Sequence, residues 1–178
     1  MDAPGAALLT DGVVTLRPWR PDDVPAVFAA CQDAAIQAHT HVPQPYTIES
    51  AEWFVAACTE DWETGRGAGF AITDAATGEV LGSMSRFALD GHRASFGYWL
   101  APQARSRGAA TRALRLITEW TLATTDAIRL EVYTDVDNDA SGRVAERSGF
   151  VREGIRRAWD LDRNGEPLDA IFYVRIAE

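Results

Sequence analysis

The stretch from Tyr98 to Thr111 constrains the fold more than any other part of this sequence. Its aromatic and apolar residues end at Pro102, a polar loop runs to Gly108, and small residues at Ala109 and Ala110 start a periodic helix. The pattern predicts a strand, a phosphate-sized loop and a helix N-terminus, whose unpaired N–H groups and positive dipole end favour a bound pyrophosphate. A strand–loop–helix connection can also contain Gly and Arg without binding anything, so this stretch alone leaves both interpretations open.

The size and charge of the chain narrow the classes of protein to which it can belong. A length of 178 residues favours one domain over residues 1–178, with residues 1–12 as a loose lead-in. The net charge is −9, and all 17 basic residues are arginine. This acidic balance argues against non-specific nucleic-acid binding and is compatible with a cationic amine as substrate.

Signals for membranes and for an oxidising compartment are not found in the sequence. No apolar stretch approaches the roughly 20 residues that span a bilayer, and no basic region followed by an apolar run opens the chain. We therefore expect no membrane association and a cytoplasmic location. Cys31 and Cys58 have neither C-x-x-C spacing nor a nearby His pair, so both are expected to be reduced packing residues.

The first half of the chain predicts strands that lead into the opening stretch. Hydrophobic periodicity and turn residues separate the elements. They are, in order, a strand at 13–17, a helix at 24–32, a loop at 34–46, a helix capped by Thr47, and strands at 70–73, 80–87 and 94–100. The last three strands follow one another through short turns, which predicts antiparallel pairing.

After the loop the chain alternates helix and strand, then ends in a hairpin. Periodicity predicts a helix from residue 110, a strand at 128–133 and a short helix at 140–147. Gly149 has the conformational freedom that a helix C-terminus requires. Asn164-Gly165 stands between two apolar segments, which is the strongest short-range signal for a hairpin.

Three motifs resemble the GNAT superfamily of N-acetyltransferases, in particular its RimJ/RimL-type branch. The loop of residues 105–110 resembles the R/Q-x-x-G-x-G/A pattern whose amides hold the pyrophosphate of acetyl-CoA. Residues 97–100 look like the splayed fourth strand of that branch, and Asn138-x-x-Ser141 with Gly149-Phe150 is similar to its N-x-x-S…G-F signature. The resemblance extends from about Thr15 to Ile176. Arg112 departs from it, because the family usually has Glu there.

The resemblance implies a fold and a way of holding the cofactor. It implies an α/β (α+β) GNAT fold, with a mixed, twisted sheet of about seven strands, helices on both faces and a splayed fourth strand. Acetyl-CoA would lie between the fourth and fifth strands. The implied cofactor-binding residues are Trp99, Leu100, Arg105, Ser106, Arg107, Gly108, Ala109, Ala110, Thr111, Asn138 and Ser141.

Four positions are candidates for catalytic roles. The backbone N–H of Leu100 can face the thioester oxygen, and the residue matching Ser141 protonates the departing thiolate in relatives. The base that deprotonates the amine is Asp160, or else Glu131 on the fifth strand. Alternatively, either acid is an ordinary surface carboxylate, and Asn138 or Asp139 simply caps the short helix.

Candidates for the acceptor pocket come from the loop at 34–46 and from large aromatic residues. His39 and His41 border the pocket in the resemblance, or belong to a solvated loop. Trp53 and Trp159 can wall the pocket together with Trp99, although large aromatics are more often core residues. No third ligand with recognisable spacing accompanies the two histidines, so we predict no metal site.

The sequence therefore predicts an acetyl-CoA-dependent N-acetyltransferase acting by direct attack of a primary amine. Neither cysteine lies in a motif that would activate it, so no covalent enzyme intermediate is expected. A small-molecule amine and a protein N-terminus both stay open as acceptors, as do an acyl group other than acetyl and a homodimer. The alternative is a non-catalytic acyl-CoA sensor of the same fold. A Rossmann-type nucleotide binder would require a G-x-G-x-x-G motif, which is missing.

Overall fold

The computed structural model describes residues 7–177, in which one eight-stranded sheet carries helices on both faces. The strands are β1 (Leu9–Thr10), β2 (Val14–Pro18), β3 (Ala68–Asp74), β4 (Val80–Arg86), β5 (Arg93–Leu100), β6 (Arg129–Asp135), β7 (Val151–Leu161) and β8 (Pro167–Ile176). The helices within this range are α1 (Val24–Ala30), α2 (Ala34–His39), α3 (Ile48–Thr64), α4 (Ala109–Thr124) and α5 (Asp139–Arg147).

The strand order is β1-β2-β3-β4-β5-β6-β8-β7, and every neighbouring pair is antiparallel except β5 and β6. Parallel pairing between β5 and β6 is confined to residues 93–95 against 129–131. Beyond these positions the two strands are no longer paired. We call the gap between residues 96–100 of β5 and 132–135 of β6 the wedge. The splayed strand predicted from the sequence is therefore confirmed, and it is the fifth because β1 precedes it.

Two separate hydrophobic clusters hold the helices on the sheet. The larger cluster joins one face to α4, whose Ala113, Leu114 and Ile117 have no exposed surface. The other cluster joins the opposite face to α1, α2 and α3 around Trp19 and Trp99. Alternation along β5 separates the two faces, since Phe96 belongs to the first cluster and Trp99 to the second.

Two sequence predictions are corrected by these elements. Residues 9–10 form β1 and pair with residues 15–16, so this part of the predicted lead-in at 1–12 is ordered; residues 1–6 lie outside the described range. The sheet accordingly has eight strands rather than about seven. The segment predicted as a loop at 34–46 begins instead with the helix α2. The Asp33 side chain caps this helix by accepting a hydrogen bond from the Ile36 N–H, and the Ile36 side chain is buried.

Other local predictions are confirmed. Thr47 caps α3 by accepting a hydrogen bond from the Ser50 N–H. The turn at Asn164-Gly165 joins β7 to β8, and α5 ends just before Gly149. None of the helices in residues 7–177 combines the length and the apolar character needed to cross a membrane.

Cys31 and Cys58 are buried, free thiols, as predicted. Burial raises the pKa of Cys31 to about 11 and that of Cys58 to about 12, because it disfavours the thiolate. We expect the native protein at pH 7.5 to resist an aromatic disulfide reagent, since only thiolates react. Both thiols should react once guanidinium unfolds the chain. Rapid modification of either thiol in the native protein would contradict this prediction.

Candidate active site

The loop after β5 presents backbone N–H groups at the start of α4. Gly108 is the N-cap residue at φ +77°, and no side chain within residues 7–177 caps this end. The Arg112 N–H donates to the Gly108 carbonyl, so the N–H groups of Ala109, Ala110 and Thr111 precede the first helical hydrogen bond. These unpaired donors sit at the positive end of the helix dipole and suit an anionic group.

The predicted side chains of this loop do not all point the same way. Ser106, Arg107 and Gly108 are exposed. Arg105 instead folds back, pairing with the Asp33 carboxylate and donating to the Leu100 carbonyl at 3.2 Å. This hydrogen bond from Arg105 lowers the pKa of Asp33. The Arg105 side chain therefore ties the loop to the N-terminus of α2, while the backbone stays available for a ligand.

A cavity of about 420 Å³ adjoins the same loop on the outer side of α4. It is lined by Gly108 and Thr111 together with Arg112, Arg115 and Arg147, among other residues. Asp11 also lines this cavity and pairs with Arg112, and Arg115 donates to the Arg147 carbonyl, so these two arginines already have partners within the protein. A larger cavity, about 700 Å³, lies between the end of α4 and β7–β8 and borders none of the predicted site residues.

The first turn of α5 brings Asn138 and Ser141 to the opposite side of the wedge. The Asn138 side chain accepts a hydrogen bond from the Ser141 N–H at 3.2 Å, so Asn138 caps α5. The Ser141 hydroxyl lies 2.9 Å from the Tyr98 hydroxyl of β5. Sequence reasoning missed this use of Tyr98. Alternation along β5 places Tyr98 on the same face as Ala94 and Phe96, but it cannot say which distant residue lies there.

Leu100 and Trp99 close the β5 side of the wedge. Leu100 lies opposite Gly82 of β4 and is half-buried. Trp99 is only 8% exposed and packs against Trp19 and Phe54, with ring centroids 6.1 Å and 6.5 Å away. The Trp99 side chain is thus a core residue, and its pairing with Ser83 directs its backbone groups to β4.

The two candidate bases occupy different places. Glu131 is opposite Ser95, in the last paired position at the closed end of the wedge, and accepts a 2.6 Å hydrogen bond from Arg129. Asp160 lies near the end of β7, where a carboxylate oxygen is 3.0 Å from Nε2 of His41. The structure thereby joins two residues that the sequence singled out separately.

His39 meets the open end of β6. Its Nδ1 is 2.7 Å from the Asp135 carboxylate, across 96 residues of sequence. His39, Asp135 and Asp137 offer one ligand atom each within 4.8 Å of one another. Exposed acidic groups are common without an ion, and the hydrogen bond to Asp135 accounts for the position of His39. The absence of a metal stays a prediction.

Aromatic residues beside these carboxylates divide into two groups. Trp159 is 43% exposed and packs edge-on against Tyr133 and Phe172, at 5.7 Å and 4.8 Å between centroids. Trp53 is 71% exposed on α3, and within the described residues no aromatic contact joins it to Trp99 or Trp159. Trp159 therefore lies beside the candidate acceptor residues, and the role of Trp53 stays a prediction.

Arg163 was not anticipated from the sequence. It lies in the turn between β7 and β8 and donates to the carbonyls of Gln37, Thr40 and Val42, at 2.8, 3.3 and 2.8 Å. One guanidinium thus fastens the tip of the hairpin to the segment that carries His39 and His41. No local pattern marks such a contact, because the partners are backbone groups more than 120 residues away.

Comparison with known proteins finds similarity to N-acetyltransferases. The sequence profile of the acetyltransferase (GNAT) domain matches residues 14–151. The N-acetyltransferase YoaA of Bacillus subtilis is 26% identical over 168 residues, which are 93% of this chain and 94% of YoaA. YdaF of the same organism, whose name describes a ribosomal N-acetyltransferase, is 32% identical over 54% of this chain and 53% of its own length.

A solved structure agrees over nearly the whole length. RimL, a ribosomal L7/L12 alpha-N-protein acetyltransferase in complex with coenzyme A, superposes with a TM-score of 0.85 at 25% identity, covering 96% of this chain and 98% of RimL. The matched profile includes the wedge, the loop at the start of α4 and the first turn of α5. The chain therefore belongs to the GNAT family of acetyltransferases.

Proposed function

We propose that this enzyme transfers an acetyl group from acetyl-CoA to the α-amine of a protein N-terminus. The observation that carries the proposal is the wedge, with first-turn N–H groups of α4 at one side and the Ser141 hydroxyl at the other. RimL, which is similar over its whole length, is named for protein α-amine acetylation and binds coenzyme A. The proposal takes residues 1–178 as one domain, supported by the single sheet that includes both β1 and β8.

The donors at the start of α4 fit the pyrophosphate of acetyl-CoA. The N–H groups of Ala109, Ala110 and Thr111 would hold it, with the loop of residues 105–108 around it. Unpaired backbone groups of β5 beyond residue 95 would bond the extended arm of the cofactor, because β6 has diverged there. The thioester then supplies the activated acetyl group.

Three groups would act on the reacting atoms. The Leu100 N–H would stabilise negative charge on the thioester oxygen. Ser141 would give its proton to the sulfur as the carbon–sulfur bond breaks, and Asp160 would take a proton from the amine through water. Glu131 remains the rival base, although its contact with Arg129 at the closed end of the wedge favours Asp160. The sensor alternative is not favoured, since the matched domain is an acetyltransferase domain and the relatives are named N-acetyltransferases.

The chemistry of an aspartate base argues for an α-amine. The ordinary pKa of an α-amino group is about 7.7–8.0, against about 10.4 for lysine. A carboxylate that works through water removes the proton of a weakly basic amine far more readily than that of a lysine. Asp135, Asp137 and Asp160 also place negative charge at the open end of the wedge, where a cationic N-terminus would arrive.

A homodimer stays a prediction.

An acceptor panel tests this proposal. Peptides with a free N-terminal serine or alanine, the same peptides N-acetylated but carrying an internal lysine, and spermidine are incubated with enzyme and acetyl-CoA. Mass spectrometry should find one added acetyl group on the free N-termini, matched by release of free coenzyme A thiol. Acetylation of lysine or spermidine in place of the α-amine would overturn the acceptor class.

Arg163→Ala is expected to raise the KM for the peptide acceptor about fivefold and to leave the KM for acetyl-CoA unchanged. The physical reason is that loss of the three hydrogen bonds releases the hairpin tip, with Asp160, from the segment carrying His41. Steady-state kinetics with each substrate varied in turn measures both constants.

Arg152→Ala is the matched control, because Arg152 is an exposed arginine of β7 with no ion pair assigned in the described part of the chain. It should leave both constants unchanged. An equal rise in the KM for acetyl-CoA in Arg163→Ala would contradict a role confined to the acceptor side.

A further inference from the structure

Tyr98 and Ser141 meet across the wedge through their hydroxyl groups. The two oxygens are 2.9 Å apart, although the residues are 43 positions apart in the sequence. Tyr98 belongs to β5 and Ser141 to the first turn of α5. This hydrogen bond therefore links the strand that carries Leu100 to the residue proposed to protonate the leaving sulfur.

The chemistry of the pair determines which hydroxyl donates. A serine hydroxyl has one proton to give and two lone pairs that accept, and a tyrosine hydroxyl likewise has one proton. If Ser141 is to give its proton to sulfur, its oxygen must accept from Tyr98. Among the described residues, neither hydroxyl has another hydrogen-bond partner. Tyr98 is then the donor, and the Ser141 O–H is left to point into the wedge.

We propose that Tyr98 is a positioning residue for acyl transfer: it donates a hydrogen bond to Ser141 Oγ, orienting the Ser141 proton towards the leaving sulfur and stabilising the oxygen as that proton departs. The inference rests on the proposed function, in which Ser141 is the acid. A hydrogen bond to the charged form of a group favours that form, so the Tyr98 donor makes Ser141 a stronger acid.

The proton balance needs no further reactant. As the carbon–sulfur bond breaks, its electron pair stays on sulfur, which takes the Ser141 proton and becomes the thiol of coenzyme A. Tyr98 keeps its own proton and donates to the serine oxygen throughout. The amine loses one proton through water to Asp160 as its new bond to carbon forms; Asp160 releases this proton to solvent, and water returns one proton to Ser141. Burial raises the pKa of Tyr98, which keeps it a phenol at neutral and mildly alkaline pH.

A second contact fixes the position of Ser141. A Cβ added to Gly142 would lie 2.5 Å from the hydroxyl of Tyr173, so the first turn of α5 rests directly on that buried side chain. Asn138 caps the same turn. With the backbone of Ser141 held from two sides, the remaining freedom is rotation of its side chain and of its hydroxyl, and the hydrogen bond with Tyr98 limits both.

The test is a double-mutant cycle on Tyr98→Phe and Ser141→Ala with an N-terminal serine peptide as acceptor. Tyr98→Phe should lower kcat about 10-fold and leave the Kd for acetyl-CoA unchanged, whereas Ser141→Ala should lower kcat about 100-fold. The double variant should be no slower than Ser141→Ala alone, because Tyr98 acts only through Ser141. Tyr46→Phe, which removes a buried hydroxyl in the other cluster, should leave kcat unchanged.

Two results would overturn the role of Tyr98: an unchanged kcat in Tyr98→Phe, or losses that multiply in the double variant as a purely structural defect would. The same four proteins are also compared in the slow hydrolysis of acetyl-CoA without acceptor, where the sulfur still needs a proton. If the wild type acetylates no peptide, the proposed acceptor class is wrong. The rates of acetyl-CoA hydrolysis by the four proteins then test the role of Tyr98 on their own.

Discussion

Gly108→Asp is expected to raise the Kd for acetyl-CoA by about 100-fold, which corresponds to about 2.7 kcal/mol. Gly108 caps α4 at φ +77°, beside the unpaired N–H groups of Ala109, Ala110 and Thr111. A carboxylate there would place negative charge where the pyrophosphate is held and would compete for the same donors. Titration calorimetry with acetyl-CoA measures the loss.

The fold should tolerate this substitution. A Cβ at Gly108 meets nothing within 4 Å, and aspartate is among the residues that adopt the left-handed region most readily. An acid at a helix N-terminus also interacts favourably with the helix dipole. We therefore expect the Tm of Gly108→Asp to stay within a few degrees of the wild type, so weaker binding would not reflect unfolding.

Gly78→Asp is the matched control. Gly78 has the same φ of +77° in the turn between β3 and β4, and a Cβ there also meets nothing within 4 Å. Both substitutions place an aspartate at the same φ and add the same charge. If both weakened acetyl-CoA binding equally, or if Gly108→Asp left the Kd unchanged, the loop at the start of α4 would not be the pyrophosphate site.

The sequence predicted elements whose signals are local. The apolar stripe of α4, the alternation of β6 and the Asn164-Gly165 turn each lie within one element, and each appears in the structure. Missed elements had weaker local signals. The helix α2 has six residues, which is less than two helical turns. The prolines at 43 and 45 therefore led to the prediction of a loop over the whole segment 34–46.

The position of Trp53 on α3 follows from helical geometry. Ala51, Val55 and Cys58 are the buried residues of α3, and at 100° per residue they cluster on one side of the helix. Position 53 falls on the opposite side, where the tryptophan is 71% exposed. The same periodicity that predicted the helix therefore predicts an exposed Trp53, and its place beside the pocket stays a prediction.

The site itself depends on contacts that no local pattern contains. His41 meets Asp160, His39 meets Asp135, and Tyr98 meets Ser141, in each case between distant elements. The family resemblance identified most of these residues one by one. Their pairing follows from the point at which β5 and β6 diverge, and a single sequence does not reveal that point.

Gly82→Ala should destabilise the protein by about 3 kcal/mol, although it adds one methyl group. A Cβ at Gly82 would lie 2.2 Å from the Trp99 carbonyl oxygen and 3.0 Å from the Leu100 Cα. Both contacts are with backbone, so the strand β5 must move to relieve them. Trp99 resists that movement because its ring packs against Trp19 and Phe54.

The clash also affects the wedge. Gly82 lies opposite Leu100, next to an irregularity where β4 shifts register against β3. Displacing Leu100 would move the N–H proposed to face the thioester oxygen, so kcat should fall in whatever fraction remains folded. For a domain of this size, 3 kcal/mol lowers the Tm by about 6–12 °C, which scanning calorimetry resolves.

Gly154→Ala separates the clash from the effect of replacing a strand glycine. Gly154 lies in β7, and a Cβ there meets nothing within 4 Å. Alanine loses less backbone entropy than glycine on folding, so this variant should be as stable as the wild type or slightly more stable. Equal stability of Gly82→Ala and Gly154→Ala would contradict the close approach of β4 to β5, because only Gly82 has backbone atoms in the way of a methyl group.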